Sequence, residues 1–290
     1  MYIGTGPRQS ADRTEPLRSK REQHEHNKGR HRLVERPRPE QRTGALMDLE
    51  LRGRVALVTG SSSGIGRSTA LELATEGAVV IVTYRVDSAG AEHVADDIRD
   101  AGGAADVAQY DLADVDSADT LLARIMDSHG QLDLLVANAV AWPNSRPGSM
   151  NWRTALRTNL EGTIATVDAA MPHLLAGKGR IVLISSTVAT DGMPGATTYA
   201  AAKAALHGIV ATLSLEHAPA GMLTNAVLPG LTLTERARSL IPQAARDDVA
   251  SRTPTRRLSD PNDVARAVSF LGSPANRQIT GQLLRVDGGL

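Results

Sequence analysis

The residues of this chain best suited to chemistry are Tyr199 and Lys203, four apart in Tyr199-Ala200-Ala201-Ala202-Lys203. They lie in an Ala-rich run from Thr197 to about Ala218, made of strong helix formers. Residues four apart on a helix share one face, one above the other. A phenol and an ammonium are therefore stacked one turn apart. A free tyrosine has a pKa near ~10, so it exchanges protons slowly at neutral pH. A neighbouring cation favours the phenolate and lowers that pKa. General acid catalysis needs such tuning toward the working pH. The plain alternative is a buried Ala-rich helix carrying two polar residues, and the spacing alone does not separate the two readings.

The elements that must position this pair follow from the hydrophobic pattern. From Arg54 onward, short apolar runs alternate with helical patterns. Strands are predicted at 55–59, 78–84, 105–110, 132–136, 180–185, 222–228 and 282–286. Helices are predicted from Gly60 to about Glu76, then at 88–100, 116–129, 152–175, the Tyr199 run and 261–271, with a mobile helical segment at 231–250. Apolar strands alternating with amphipathic helices imply an α/β fold with a doubly wound parallel sheet, covered on both faces. Ligands of such sheets bind beyond the C-terminal strand ends, where the strand order reverses.

Composition narrows the function classes. The 290 residues fit one large domain or two small ones, and 41% are hydrophobic, enough for a sizeable core. Lys+Arg and Asp+Glu are both 32, a balance that argues against a dedicated nucleic-acid binder. There is no cysteine, which excludes disulfides, thiolate metal sites and a cysteine nucleophile. No His/Asp/Glu spacing suggests a metal, and none is expected. No apolar run has the length of a membrane span, and the N-terminus lacks the apolar core of a secretory signal. Cytoplasmic residence is the expectation.

Residues 1–46 differ from the rest. They hold 11 Lys+Arg and 6 Asp+Glu, are rich in Arg, Pro, Gln and His, and have almost no periodic apolar positions. Such a segment cannot offset its ordering entropy and reads as a disordered basic tail. It is either an arm for an acidic partner or the product of a start assigned too far upstream, since Met47 opens the folded pattern naturally. The domain expected to bind and react is 47–290.

The first strand–helix turn reads Thr59-Gly60-Ser61-Ser62-Ser63-Gly64-Ile65-Gly66-Arg67. Glycines permit a tight turn and close backbone approach to a pyrophosphate. The helix that follows offers free N–H groups and its positive dipole end. The spacing is Gly-x-x-x-Gly-x-Gly, not the general Gly-x-Gly-x-x-Gly fingerprint.

Thr-Gly-x-x-x-Gly-Ile-Gly followed by Tyr-x-x-x-Lys resembles the short-chain dehydrogenase/reductase family. Further marks fall in the family's order: Asp111-Leu112, Asn159-Leu160-Glu161-Gly162, Ser185-Ser186, Pro229-Gly230 with Thr234, and Val286-Asp287-Gly288-Gly289. Ser186 precedes Tyr199 by thirteen residues, the family's interval. The resemblance covers about 47–290, with an overall likeness to 3-oxoacyl-carrier-protein-reductase-like members. It implies a Rossmann-type sheet of about seven strands in a single domain. It also departs from the pattern: the family's Asn-Asn-Ala-Gly is here Ala137-Asn138-Ala139-Val140.

The resemblance implies an NAD(P)-dependent oxidoreductase that moves a hydride between nicotinamide and a carbonyl or secondary alcohol. Tyr199 would be the general acid/base. Lys203 would lower its pKa and bind the nicotinamide ribose. Ser186 would hydrogen-bond the substrate oxygen, and Asn159 would hold a water linking Lys203 to solvent. Cofactor contacts are expected from Gly60, Ser62, Ser63, Gly64, Ile65, Gly66, Arg85, Asp111, Leu112, Asn138, Ala139, Tyr199, Lys203, Pro229, Gly230 and Thr234. At the end of the second strand, Tyr84-Arg85 stands where an acidic residue would select NAD(H). With no carboxylate there and Arg85 able to pair a 2′-phosphate, NADP(H) is favoured, NAD(H) remaining possible. Ser61 and Ser62 are candidates for added hydrogen bonds. Ser63 argues the other way, because many NADP-using relatives carry Arg or Lys at that position.

The substrate pocket is expected between Val140–Arg146, Val188–Pro194 and the segment after Gly230, with Trp142, Met193, Leu231 and Leu233 as apolar walls. Partners are a small carbonyl or alcohol and further copies in a homotetramer or homodimer, with no nucleic acid and no membrane. The face of Ala204, Leu206, Val210 and Leu213 suits either subunit contact or burial against the sheet. The alternative function is a non-catalytic dinucleotide-binding regulator or scaffold of the same fold.

Overall fold

The computed structural model describes residues 47–141 and 152–290. The basic tail and Trp142 to Arg146 lie outside these. Seven strands, β1 (Val55–Val58), β2 (Val79–Tyr84), β3 (Ala104–Gln109), β4 (Leu134–Ala137), β5 (Arg180–Ile184), β6 (Leu223–Pro229) and β7 (Leu283–Val286), form one sheet. Their order is β3-β2-β1-β4-β5-β6-β7, and every pair is parallel. The chain steps outward from β1 to β2 and β3, then returns to the other side of β1 for β4. The order therefore reverses between β1 and β4, where a crevice opens at the carboxyl ends.

Both faces of the sheet are covered, which explains why its central strands are apolar throughout. Every residue of β1 (Val-Ala-Leu-Val) is buried. Successive side chains point to opposite faces, and the cores divide accordingly. Leu57, Leu135 and Leu183 meet one set of helices: α3 (Asp116–His129), α5 (Gly162–Gly177) and α7 (Thr197–His217). Val58, Val136 and Val182 meet the other: α1 (Gly64–Thr75), α2 (Ser88–Asp100) and α10 (Pro261–Leu271).

Three departures from the pattern matter for the site. The helix expected over 152–175 is α4 (Trp152–Leu156), a π-helical turn at Arg157–Glu161, then α5. Asn159 sits in that turn, and such turns recur at functional sites. Gly162 follows because an added Cβ would lie 1.9 Å from the Leu112 carbonyl oxygen. The short helix α6 (Val188–Asp191) after Ser186 has no apolar periodicity to announce it. The segment expected at 231–250 carries α8 (Glu235–Leu240) and α9 (Gln243–Arg252), the latter running two residues beyond it, and neither has a buried residue. Among the described residues, no helix is long and apolar enough to cross a membrane.

Candidate active site

Two side chains clasp the ends of β1 and β4. Thr59 Oγ1 accepts from the backbone N–H of Asn138 at 2.9 Å and of Ala139 at 3.0 Å. Asn138 Nδ2 donates back to the Thr59 carbonyl at 2.9 Å and the Gly60 carbonyl at 3.1 Å. The glycines make this approach possible. A Cβ on Gly60 (φ 65°) would lie 2.9 Å from Ala139 Cα, and one on Gly66 would lie 2.3 Å from the Gly60 oxygen. Asn138 therefore shapes the turn with its side chain, and Ala139 closes against it.

The turn presents the start of α1 to an anion. Ser63 is the exposed N-cap, makes no side-chain cap bond, and is followed by a first turn without acidic residues. Free N–H groups and the helix dipole suit a pyrophosphate. Ser62 and Ile65 are partly buried beside it, and Gly64 faces the Thr234 methyl group. Thr234 itself caps α8, accepting from Ala237 N–H at 3.1 Å. Ser61 is not available: it is buried, donates to the Val58 carbonyl at 2.7 Å and accepts from Thr83 N–H at 2.8 Å. Its hydroxyl joins β1 to β2 instead of meeting a phosphate.

The residues expected to meet adenosine follow β2. Arg85 is exposed, while Asp87, the nearest following carboxylate, accepts from Gly90 N–H at 2.9 Å and caps α2. Arg67 is paired with Asp97 at 2.8 Å. Asp111 closes a turn by accepting from Ala113 N–H at 3.0 Å, and Leu112 is buried in the core. Across the crevice, Pro229 ends β6 and its carbonyl accepts from Thr187 N–H at 3.1 Å. An added Cβ on Gly230 would lie 2.8 Å from Asp287 Cβ.

Three of the four expected catalytic residues come together at the end of β5. Ser186 is buried, accepts from Val188 N–H at 3.2 Å, and is hydrogen-bonded to the Tyr199 hydroxyl. Lys203 Nζ donates to the Ile184 carbonyl at 2.6 Å and lies 6.0 Å from the centre of the Tyr199 ring. Asn159 is committed elsewhere. Its Nδ2 donates to the Ala141 carbonyl and its Oδ1 accepts from Ala141 N–H, both at 2.8 Å. The side chain fixes the segment after β4 at Ala141.

Burial sets the electrostatics of the pair. Burial raises the Tyr199 phenol above its usual pKa, and the Ser186 hydrogen bond only partly opposes this. Lys203 is itself poorly solvated: burial lowers its ammonium to about 8. Spacing reports adjacency, whereas burial decides which charged form is tolerated.

The next residue in the same helical column escapes the motif. His207, four past Lys203, bonds Ser185 Oγ at 2.9 Å, and Ser185 Oγ bonds the Lys203 carbonyl at 3.1 Å. Burial holds His207 below its ordinary pKa. Continuation of the four-residue spacing was the available signal. On the rest of α7, Leu206 and Val210 are buried in the chain's own core, so they form no outer contact face. Ala137 is buried in β4 where the family pattern has Asn. Val140 is not among the positive-φ residues, so its branched side chain stands without backbone strain. Of the expected pocket walls, Met193 is exposed and Leu231 and Leu233 are partly buried; Trp142 is not described.

A family model described as Enoyl-(Acyl carrier protein) reductase matches residues 60–290. The chain belongs to the short-chain dehydrogenase/reductase family. It is an oxidoreductase of the NAD(P)-dependent kind, which sets aside the scaffold alternative. It is similar to the cis-4-hydroxycyclohexanecarboxylate dehydrogenase of Sinomonas cyclohexanicum, 38% identical over 241 residues, 81% of this chain and 96% of that protein. The 3-oxoacyl-[acyl-carrier-protein] reductase FabG of Staphylococcus aureus is 34% identical over 81% of this chain and 97% of its own length. A solved 7α-hydroxysteroid dehydrogenase, complexed with NADH and 7-oxo glycochenodeoxycholic acid, superposes with a TM-score of 0.79. That structure is 31% identical and covers 83% of this chain and 96% of its own.

Lys203 gives a prediction about stability. Its folded pKa is about 8 against 10.5 when free, so the unfolded chain binds the proton more tightly. Charging it costs stability below pH ~8, and that cost fades as pH rises toward ~10.5. Lys203→Met should therefore stabilise the cofactor-free protein at pH 7, by on the order of 2–3 kcal/mol, with the gain shrinking between pH ~8 and ~10.5. Denaturant unfolding of both forms at several pH values measures this; a destabilised variant at pH 7 would contradict it.

Proposed function

We propose that the protein is an NADP(H)-favouring ketone reductase and secondary-alcohol dehydrogenase that uses Tyr199 as its acid/base. The observation that carries the reading is the bonded Ser186–Tyr199 pair with buried, carboxylate-free Lys203 behind it. A buried ammonium without a carboxylate is costly to keep for structure alone. The relatives named above support the substrate class, since cyclic hydroxy acids, 3-oxoacyl groups and oxosteroids share a carbonyl or secondary alcohol.

The glycine cradle, α1 start, Arg85, Pro229-Gly230 and Lys203 fit a dinucleotide. When bound, that cofactor supplies or accepts the hydride. The chain's own groups do the rest. Tyr199, protonated at neutral pH, gives its proton to the carbonyl oxygen, or takes one from the alcohol in the reverse direction. The Ser186 hydroxyl steadies the charge that develops on that oxygen. Lys203 places a positive charge beside the phenolate that forms. Asn159 keeps the Ala141 backbone in place at the mouth of β4.

Preference for NADP(H) is supported by Tyr84-Arg85, by the commitment of Asp87 to its helix cap, and by the absence of a carboxylate at the strand end. The related hydroxysteroid dehydrogenase holds NADH, so the two cofactors must be compared directly. A homodimer or homotetramer belongs to the same proposal. It is supported by exposed apolar side chains on edge strand β7 (Leu283, Leu284) and on the α4–α5 side (Trp152, Ile164).

The test is NADPH oxidation with 4-oxocyclohexanecarboxylate, a 3-oxoacyl thioester and a 7-oxosteroid. Tyr199→Phe should lose at least ~10²-fold in kcat while still binding NADPH; unchanged turnover would rule out this acid. Arg85→Ala should raise KM for NADPH by about tenfold, the loss of roughly one charge-assisted contact, and leave KM for NADH nearly constant. Equal effects on both cofactors would remove Arg85 as the selector. Light scattering of the full chain should give the mass of two or four copies, and a monomer would refute the assembly.

A further inference from the structure

Arg285 on β7 lies outside the expected site, yet its side chain is fully committed. A guanidinium has five N–H donors, and here each has an acceptor. Nη1 donates to Thr190 Oγ1 at 3.1 Å and Asp191 Oδ1 at 2.8 Å. Nη2 donates to Asp191 Oδ2 at 2.6 Å and the Leu290 carbonyl at 2.7 Å. Nε donates to Asp287 Oδ2 at 2.7 Å. One side chain thus joins α6, the turn after β7 and the segment at Leu290.

The segment it grips is the one that follows Ser186. Helix α6 has four residues and none is buried. It is followed by Gly192 (φ 75°) and Gly195 (φ 82°), each with open space around it. A single turn of helix does not hold itself in water, and no apolar anchor does so here. Polar restraints hold it at both ends. At its start, Thr187 N–H donates to the Pro229 carbonyl and Val188 N–H donates to Ser186 Oγ. At its end, Asp191 is held by the two-pronged Arg285 fork. The other arm reaches the cofactor side. Asp287 accepts from Gly289 N–H at 2.9 Å, packs against Gly230, and is nearly buried.

We propose that Arg285 is a positioning residue for the reaction: by clamping Asp191 to Asp287 it fixes α6, and through Val188 N–H it holds Ser186 Oγ in register with Tyr199 and the Pro229-Gly230 turn. The proposal rests on Ser186 being the group that meets the substrate oxygen. An exposed ion pair adds little stability, but a planar bidentate fork fixes direction. Misplacing a reacting group by about 1 Å can cost ~10²-fold in rate.

The experiment uses the full chain, NADPH and whichever of the three carbonyl probes above is turned over fastest. Arg285→Ala and Asp191→Asn should each lower kcat by about 10- to 100-fold, with the NADPH Kd, read by fluorescence, within about threefold of wild type. Arg285→Lys should resemble Arg285→Ala, because an ammonium keeps the charge and loses the fork. In a Ser186→Ala background, Arg285→Ala should cost nothing further, since its effect passes through that hydroxyl. Wild-type kcat in both single variants would overturn the proposal. So would an equal loss with and without the Ser186→Ala substitution, which is the signature of a merely structural role. Tyr199→Phe, assayed alongside, keeps the two readings apart. If it is inactive while Arg285→Ala is normal, only the clamp is lost. If it is fully active, the catalytic reading falls and the clamp with it.

Discussion

The clasp between Thr59 and Asn138 is the constraint on which the rest of the site depends. Parallel strands place all their carboxyl ends on one edge of the sheet, but a crevice forms only where the order reverses, between β1 and β4. There the chain needs two loops to approach within backbone contact. The hydrogen bonds of Thr59 and Asn138 hold that approach, and Gly60 and Gly66 leave room for it. From the next strands outward, β5 delivers Ser186 and β6 delivers Pro229-Gly230 to the same edge. The link from Thr187 N–H to the Pro229 carbonyl continues the β5–β6 pairing to the same edge.

Against this rigid edge stands one unfavourable group. Lys203 is buried, bonded to a single carbonyl and depressed to about 8. Burial raises the Tyr199 phenol at the same time. The pair therefore rests as a neutral phenol beside a cation that would gain from any anion formed nearby. The surroundings that disfavour Lys203 alone are what strengthen its interaction with a developing negative charge. Helix α7 tolerates the cost because Leu206 and Val210 anchor its other side in the core.

Much of the scaffold was legible because its signals are local. All-apolar β1 can only be a doubly covered strand, and its alternating residues do divide between two cores. The π-helical turn was not legible, since no Pro stands near Asn159 to mark a break and Gly162 is a residue that a continuous helix also tolerates. Nor was α6, whose four residues lack a buried face. In the site, the partners of Ser61 and Asn159 were not legible for the same reason. A polar side chain in a loop or helix has several partners within reach, and sequence does not say which of them is close.

By itself, the amino-acid order determined the alternation of strands and helices, the glycine-rich turn that opens the first helix, and the column that stacks Tyr199 over Lys203. These depend on backbone geometry over a few residues, which repeats wherever the pattern repeats. Only the tertiary structure decided that burial raises Tyr199, that Asn159 holds Ala141, and that Arg285 spends all five donors on groups up to 95 positions away. Solvation and hydrogen-bond partners are set by what the folded chain brings alongside. That depends on sheet order and close packing, not on distance along the chain.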